Sequence, residues 1–76
     1  MGKGTFHAYG MALRTLREKA NKTLEESAQQ CGHHKMWLSN IERGVKRIYF
    51  EDATKLVKFY GYSMDYLVEL VEIFDR

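Results

Sequence analysis

Apolar residues recur every three or four positions along almost the whole chain, which is the spacing of helices that bury one face. No stretch combines strict apolar–polar alternation with a hairpin turn, so no sheet is expected. Capping residues and glycines divide the pattern into helices predicted over residues 7–19, 23–31, 35–43, 50–60 and 63–76. The 76 residues are therefore expected to form one all-α domain, with residues 1–6 flexible.

The apolar faces of the first and fourth helices predict most of the core. The residues expected to be buried there are Met11 or Ala12, Leu13, Leu16, Ala20, Phe50, Ala53, Leu56, Val57 and Tyr60. The fifth helix is apolar around more of its circumference than one small core can use. We therefore expect one stripe of it to be a partner interface, as a dimer contact: Leu67, Leu70, Val71 and Phe74. In the alternative, Phe74 folds back over the first helix.

Residues 23–43 have the pattern of a helix-turn-helix. Thr23 and Glu26 form a capping box, the signal of a helix start. Gly32 supplies the backbone freedom for a tight turn before the next helix. In that helix, residues 37, 38 and 41 form one apolar face, which leaves polar and basic side chains on the other. A short helix held by its apolar side in this way is suited to entering a DNA major groove.

The charge distribution says more than the net charge of +2. Residues 1–47 hold nine Lys or Arg and four Asp or Glu, for +5, whereas residues 48–76 hold three and six, for −3. This asymmetry is what a groove-facing side and an opposite partner-facing side require. The alternative is chance segregation of charge in a small protein.

The composition indicates a cytoplasmic protein. The single cysteine, Cys31, excludes an internal disulfide and fits a reducing compartment. The first ten residues lack the apolar core of a signal peptide. No run approaches the roughly 20 apolar residues of a membrane span, so no membrane association is expected.

Catalytic and metal chemistry find little support in the sequence. Cys31, His33 and His34 are too closely spaced to close a tetrahedral metal site by themselves, and His7 is the only other histidine. Their histidines are better suited to meeting phosphate, with a pH-dependent contribution. No nucleophile, base and orienting group stand together, and no glycine-rich phosphate loop is present. We expect no enzyme activity, no metal and no cofactor.

Four motifs, in order along the chain, resemble the lambda-repressor-like, or Xre/Cro-type, helix-turn-helix family. They are Leu13-Arg14-x-Leu16-Arg17, Thr23-x-x-Glu26-x-Ala28-x-x-x-Gly32, Ser39-x-Ile41-Glu42-Arg43-Gly44 and Gly61-Tyr62-Ser63-Met64-Asp65-Tyr66-Leu67. The likeness runs from about residue 9 to residue 70. It implies a compact five-helix DNA-binding domain whose second and third helices are the helix-turn-helix.

The chain departs from the family pattern at four places. His33 and His34 replace an apolar residue and a Ser or Thr cap, so the turn chemistry is unusual. Leu24 occupies the position where many members have a glutamine that touches a phosphate, so that contact is expected to be lost. Ile48 stands in place of a frequent proline, and Ser27 in place of a leucine. None of these breaks the fold pattern.

The resemblance assigns roles to individual residues. Base contacts fall to Lys35, Met36, Ser39 and Asn40. Phosphate contacts fall to Thr23, His34, Arg43, Lys46 and Arg47. Lysine can bond guanine O6 and N7, asparagine can pair with adenine, and methionine can lie on a thymine methyl. Trp37 is expected to pack rather than to touch DNA, and Glu42 to form a structural ion pair with Arg17.

Together these features predict a sequence-specific regulator that binds double-stranded DNA. The resemblance favours a dimeric repressor of phage, plasmid, mobile-element or bacterial origin, on a palindromic or near-palindromic operator. The main alternative is a protein-interaction module, an antitoxin or anti-repressor, that sequesters a protein partner through its C-terminal helix. A third possibility is an activator that touches RNA polymerase through Glu51 and Asp52.

Overall fold

The computed structural model describes residues 4–76, and their side chains from Phe6 onward. Over this range the chain forms five α-helices and no strand, so the all-α prediction is confirmed. The helices are α1 (Gly4–Lys19), α2 (Leu24–Gln29), α3 (Lys35–Glu42), α4 (Phe50–Tyr60) and α5 (Met64–Phe74). None of the helices in this range is long and apolar enough to cross a membrane.

The first helix begins earlier than predicted. Residues 4–6, which were expected to be flexible, form its first turn, while residues 1–3 of that segment lie outside the described residues. Gly4 is a weak helix former, which is why the sequence indicates a later start. Tertiary packing overrides this preference, because Ala8 on the second turn is fully buried in the core.

The second helix has the start signal and the closing turn that the sequence predicts, but it spans Leu24–Gln29 and is shorter than the predicted 23–31. Thr23 Oγ1 accepts from the Glu26 amide at 3.1 Å, and Glu26 Oε2 accepts from the Thr23 amide at 2.7 Å, which completes the capping box. At the other end, Gly32 has a φ of 72°. The amides of Gly32 and His33 bond back to the carbonyls of Gln29 and Ala28, as in a Schellman turn. The chain is thereby turned from α2 into α3.

The core lies between α1 and the other helices, and α1 packs against α3, α4 and α5. Its buried apolar residues are Ala8, Ala12, Leu13, Leu16, Ala28, Leu38, Ile41, Ala53, Leu56, Val57, Tyr60, Leu67 and Val71. The expectation that Phe50 is buried is wrong, since its side chain is 72% exposed. Phe50 is the first residue of α4, and the buried face of that helix begins only at Ala53.

The fifth helix also differs from expectation. Leu67 and Val71 belong to the core, so they are used within the chain and cannot form the surface contact that we assigned to them. Leu70 and Phe74 are partly buried against the same core. The apolar side chains that α5 does expose are Val68 and Ile73. Most of the apolar stripe of α5 is therefore packed within the domain.

Candidate DNA-binding surface

The third helix presents two different faces. Leu38 and Ile41 are buried, and they hold α3 against the rest of the domain. On the opposite side Lys35 and Met36 are exposed, while Ser39 and Asn40 are half-buried. The helix is thus fixed by its apolar side and offers its polar side to solvent, as a recognition helix requires.

Directional contacts fix the far end of α3. Arg17 Nε lies 2.8 Å from Glu42 Oε2, and Arg17 Nη2 lies 3.1 Å from Glu42 Oε1, which makes a bidentate ion pair. Arg17 Nη1 also donates to the Lys22 carbonyl at 2.9 Å. The two side chains are only 13% and 6% exposed, and the hydrogen bond with Glu42 raises the pKa of Arg17. The structure thus joins the two residues for which the resemblance implied a structural pair, and ties α3 to α1.

A glycine that the sequence reasoning missed lies beside this ion pair. Gly10, in the middle of α1, is packed against the end of α3. A Cβ atom at Gly10 would lie 2.2 Å from the Ile41 carbonyl oxygen and 3.0 Å from the Glu42 carbonyl oxygen. Only a residue without a side chain permits this approach. The available signal was a glycine inside an otherwise helical pattern.

The four residues predicted to contact bases are not all equivalent. The side chains of Lys35 and Met36 project from the first turn of α3 and are exposed. Asn40 lies further along the helix, and its Oδ1 accepts a hydrogen bond from Arg43 Nη2. A bidentate contact between Asn40 and adenine uses this same oxygen. Because an amide oxygen has two lone pairs, Asn40 can accept a second hydrogen bond from adenine while Arg43 holds its side chain.

The residues assigned to phosphate contacts border α3 on both sides. Thr23 is exposed, and although its hydroxyl oxygen accepts the capping bond, its hydroxyl proton remains available as a donor. His34 is the N-cap residue of α3 and makes no side-chain capping hydrogen bond. The unusual turn chemistry thus leaves its imidazole exposed beside the helix start.

The loop after α3 continues the basic surface. Lys46 and Arg47 are exposed, and Arg43 precedes them at the helix end. The Arg47 guanidinium carbon lies 5.4 Å from the Tyr49 ring centroid and 5.8 Å from that of Phe6. Both distances are in the range of cation–π contact. These aromatic neighbours of a basic residue had not been expected from the sequence.

The side chains of the turn take separate partners. The ring of His33 stacks on that of Trp37, with centroids 4.0 Å apart and planes 9° from parallel. Trp37 is half-buried against the core, in agreement with a packing role. Cys31 Sγ lies 3.6 Å from the Asp52 carbonyl oxygen, and burial raises the pKa of this thiol to about 11. Within residues 4–76 no three His, Cys, Asp or Glu side chains are grouped to hold a metal ion.

Comparison with known proteins agrees with this geometry. The model of the helix-turn-helix domain family matches residues 8–70. The chain is similar to control protein C.BamHI of Bacillus amyloliquefaciens, with 29% identity over 66 residues that cover 86% of this chain and 82% of that protein. Its structure resembles that of the clp gene regulator ClgR from C. glutamicum, with a TM-score of 0.91 and 25% identity over 100% of this chain and 97% of the other.

The chain therefore belongs to the helix-turn-helix domain family. It is a DNA-binding transcriptional regulator of the Xre type, as its motifs had predicted. Regulators of this class are typically not enzymes.

Proposed function

We propose that this regulator is a dimeric repressor that reads the major groove of its operator with α3. The observation that carries the proposal is the division of α3 into a locked inner face and an exposed outer face, followed by a basic loop. The similarity to a control protein and to a gene regulator supports the same role.

In this proposal the outer side chains of α3 read base edges. Lys35 bonds guanine O6 and N7, and Met36 lies on a thymine methyl group. Asn40 pairs with adenine, and its side-chain oxygen can accept from adenine and from Arg43 at once. Ser39, which is half-buried, contacts a neighbouring base edge or phosphate.

The surrounding polar and basic residues position the protein on the DNA backbone. Thr23, His34 and Arg43 flank α3, and Lys46 and Arg47 extend the surface along the next loop. Such contacts set the orientation of the protein but do not read sequence. Each cation that neutralises a phosphate contributes about 0.9 to the slope of log affinity against log salt.

Dimerisation follows from the size of the reading surface. One eight-residue recognition helix touches few base pairs, and a single small module buries little surface on DNA. Two copies on half-sites about one helical turn, 34–36 Å, apart double the contacts. The operator is then palindromic or nearly so.

The test is binding of the purified protein to DNA from upstream of its own gene, against random competitor DNA and across salt concentrations. The proposal predicts specific retention that weakens steeply with salt. Lys35→Ala and Asn40→Ala should each lower specific affinity about 10-fold or more and relax the preference for one base pair. Lys46→Ala and Arg47→Ala should weaken all DNA similarly and reduce the salt slope by about 1.

Lys58→Ala is the matched control, because this exposed lysine lies on α4, in the acidic half of the chain. It should leave both affinity and salt slope unchanged. No preference over random DNA at low salt would refute the repressor proposal.

A second candidate function is an antitoxin-like or anti-repressor module that captures a protein partner. The observation in its favour is the exposure of Val68 and Ile73 on α5, next to the carboxylates of Glu69 and Glu72. The two functions respond differently to the same variant. A Lys35→Ala/Asn40→Ala protein should lose the activity of a DNA reader and keep that of a partner-binding module.

A further inference from the structure

Two adjoining depressions form one groove on the side of the domain where α1, the loop after α3, α4 and α5 meet. The first, of about 230 Å³, is lined by Phe6, Tyr9, Arg47 and Ile48. The second, of about 250 Å³, is lined by Tyr9, Ile48, Phe50, Ala53, Met64 and Val68. Because they share Tyr9 and Ile48, we treat them as one surface, the aromatic groove.

Three of the seven exposed large hydrophobic side chains of residues 6–76 line the groove, and a fourth lies beside it. Phe6, Phe50 and Val68 line it, and Tyr49 lies beside it at the start of α4. Phe50 is the most exposed large hydrophobic side chain in this range, and it contributes little to the core. A cluster of this kind, next to charged residues, is typical of a surface that another protein covers.

We propose that the aromatic groove is the surface through which two copies of this chain associate about a two-fold axis. The inference rests on the proposed function, which requires a dimer, and it replaces the core residues Leu67 and Val71 as the site of association. It identifies the partner as a second copy, rather than an unrelated protein.

The charges at the two sides of the groove favour a second copy. Arg47 lines one end, with Lys46 next to it, and both are exposed. At the other end, Glu51 follows Phe50, and Asp65 and Glu72 flank the positions of Met64 and Val68 on α5. In a two-fold contact the basic end of one copy meets the acidic end of the other. A uniformly acidic or basic partner would instead face like charge at one end.

The shape of the groove is also suited to self-association. The Phe50 ring projects at 72% exposure beside the depression that it helps to line. In a two-fold arrangement each copy inserts its own Phe50 and receives that of its partner.

The location of the groove is compatible with DNA binding. Arg47 belongs both to the groove and to the proposed phosphate contacts, so the dimer contact adjoins the DNA surface without covering α3.

The experiment measures the oligomeric state of the full chain by sedimentation equilibrium, for the wild type, Phe50→Glu, Val68→Glu and Ile73→Glu. We expect the wild type to be a dimer, and Phe50→Glu and Val68→Glu to weaken dimerisation by at least about 100-fold. Phe50→Glu places an acidic residue in the first turn of α4, where it favours the helix, so the variant should fold. Ile73→Glu is the matched control, since Ile73 is 58% exposed on α5 but does not line the groove.

Ile73→Glu should leave the dimer intact. A dimer that persists in Phe50→Glu and Val68→Glu, one that only Ile73→Glu dissociates, or a wild-type monomer at about 100 µM would each overturn the inference. Upstream DNA separates this result from the repressor proposal. If Phe50→Glu still dimerises and binds the upstream DNA specifically, only the groove inference is refuted. If dimerisation depends on the groove but the protein shows no DNA preference, only the repressor proposal is refuted.

Discussion

The third and fifth helices are both held against α1, but by different means. The third helix combines buried Leu38 and Ile41 with a bidentate ion pair at Glu42 and a backbone contact at Gly10. The fifth helix relies on apolar burial of Leu67 and Val71. Its polar link to α1 is a long, exposed hydrogen bond of 3.4 Å from Lys19 to Tyr66.

This difference matches what each helix has to do. Apolar packing is non-directional, so it holds a helix in place without strictly fixing its rotation. A planar guanidinium paired with a carboxylate adds geometric specificity. The helix proposed to read base edges is the one with this directional anchor. The fifth helix needs only to close the core.

Removing the ion pair should break the anchor of α3 and have the largest effect. Glu42→Ala leaves the largely buried Arg17 without its carboxylate, which we expect to cost about 4 kcal/mol of unfolding free energy. Urea denaturation followed by circular dichroism gives this value. The control is Glu18→Ala, because the Arg14–Glu18 pair is 57% and 56% exposed and should contribute less than about 0.5 kcal/mol. Equal losses in the two variants would contradict the anchor.

Substitutions at two adjacent apolar residues test how α5 is held against the core. Leu67→Ala removes a fully buried side chain, and large-to-small changes of this kind cost about 2–5 kcal/mol; we expect a value near 3. Val68→Ala, at 42% exposure, should cost less than about 1 kcal/mol. Thermal unfolding of the two variants measures both losses of stability. A costly Val68→Ala combined with a harmless Leu67→Ala would reverse our assignment of the buried face.

Gly10→Ala tests the close contact between α1 and α3, because its effect on stability should have the opposite sign from that of a usual glycine-to-alanine change in a helix. Replacing glycine by alanine inside a helix normally stabilises it by about 1 kcal/mol. At Gly10 the new methyl would overlap the Ile41 carbonyl oxygen, so we expect a destabilisation of about 2 kcal/mol. The shift of α3 should also weaken specific DNA binding. A gain in stability on thermal unfolding would show that α1 and α3 are not so closely packed.

The buried hydroxyl of Tyr60 lies near the ion pair, and removing it should have the smallest effect on stability of these substitutions. Its hydroxyl is buried and has no hydrogen-bond partner within the described residues. Tyr60→Phe should therefore change stability at pH 7 by less than about 1 kcal/mol. Burial raises the pKa of Tyr60 from 10.0 to about 12, which means that the folded state favours the neutral phenol.

The stability that comes from keeping the Tyr60 phenol neutral in the folded state is complete below pH 10 and is lost as the pH rises towards 12. At pH 11 the wild type should have lost about 1 kcal/mol more than Tyr60→Phe. The Cys31 thiol, whose pKa is also raised, is present in both proteins and cancels in the difference. Parallel stability curves from pH 8 to 11 would exclude the effect.

Local signals in the sequence predicted much of the frame around the site. The capping box at Thr23 and the turn at Gly32 are encoded within a few neighbouring residues, and both are present. The pairing of Arg17 with Glu42, 25 positions apart, was accessible only through the family resemblance. The five helices follow from their periodicity, with ends displaced by a few residues.

Contacts that depend on tertiary packing were not accessible in this way. Periodicity placed Leu67 on one apolar stripe of α5 but could not show that this stripe faces the core rather than a partner, because the helix is apolar on several sides. Phe50 has an apolar side chain, but its place at the start of α4 turns it away from the core. The close approach at Gly10 and the bond between Arg43 and Asn40 each require the folded positions of both partners.

The stacked pair in the turn gives the protein a built-in optical reporter. Trp37 is the only tryptophan in the chain, and its ring lies parallel to that of His33 at 4.0 Å. Any rotation of α3 relative to the turn changes the overlap of the two rings, and with it the environment of the indole. Fluorescence emission can therefore follow both unfolding and docking onto DNA in the unlabelled protein, at the element where recognition is proposed to occur.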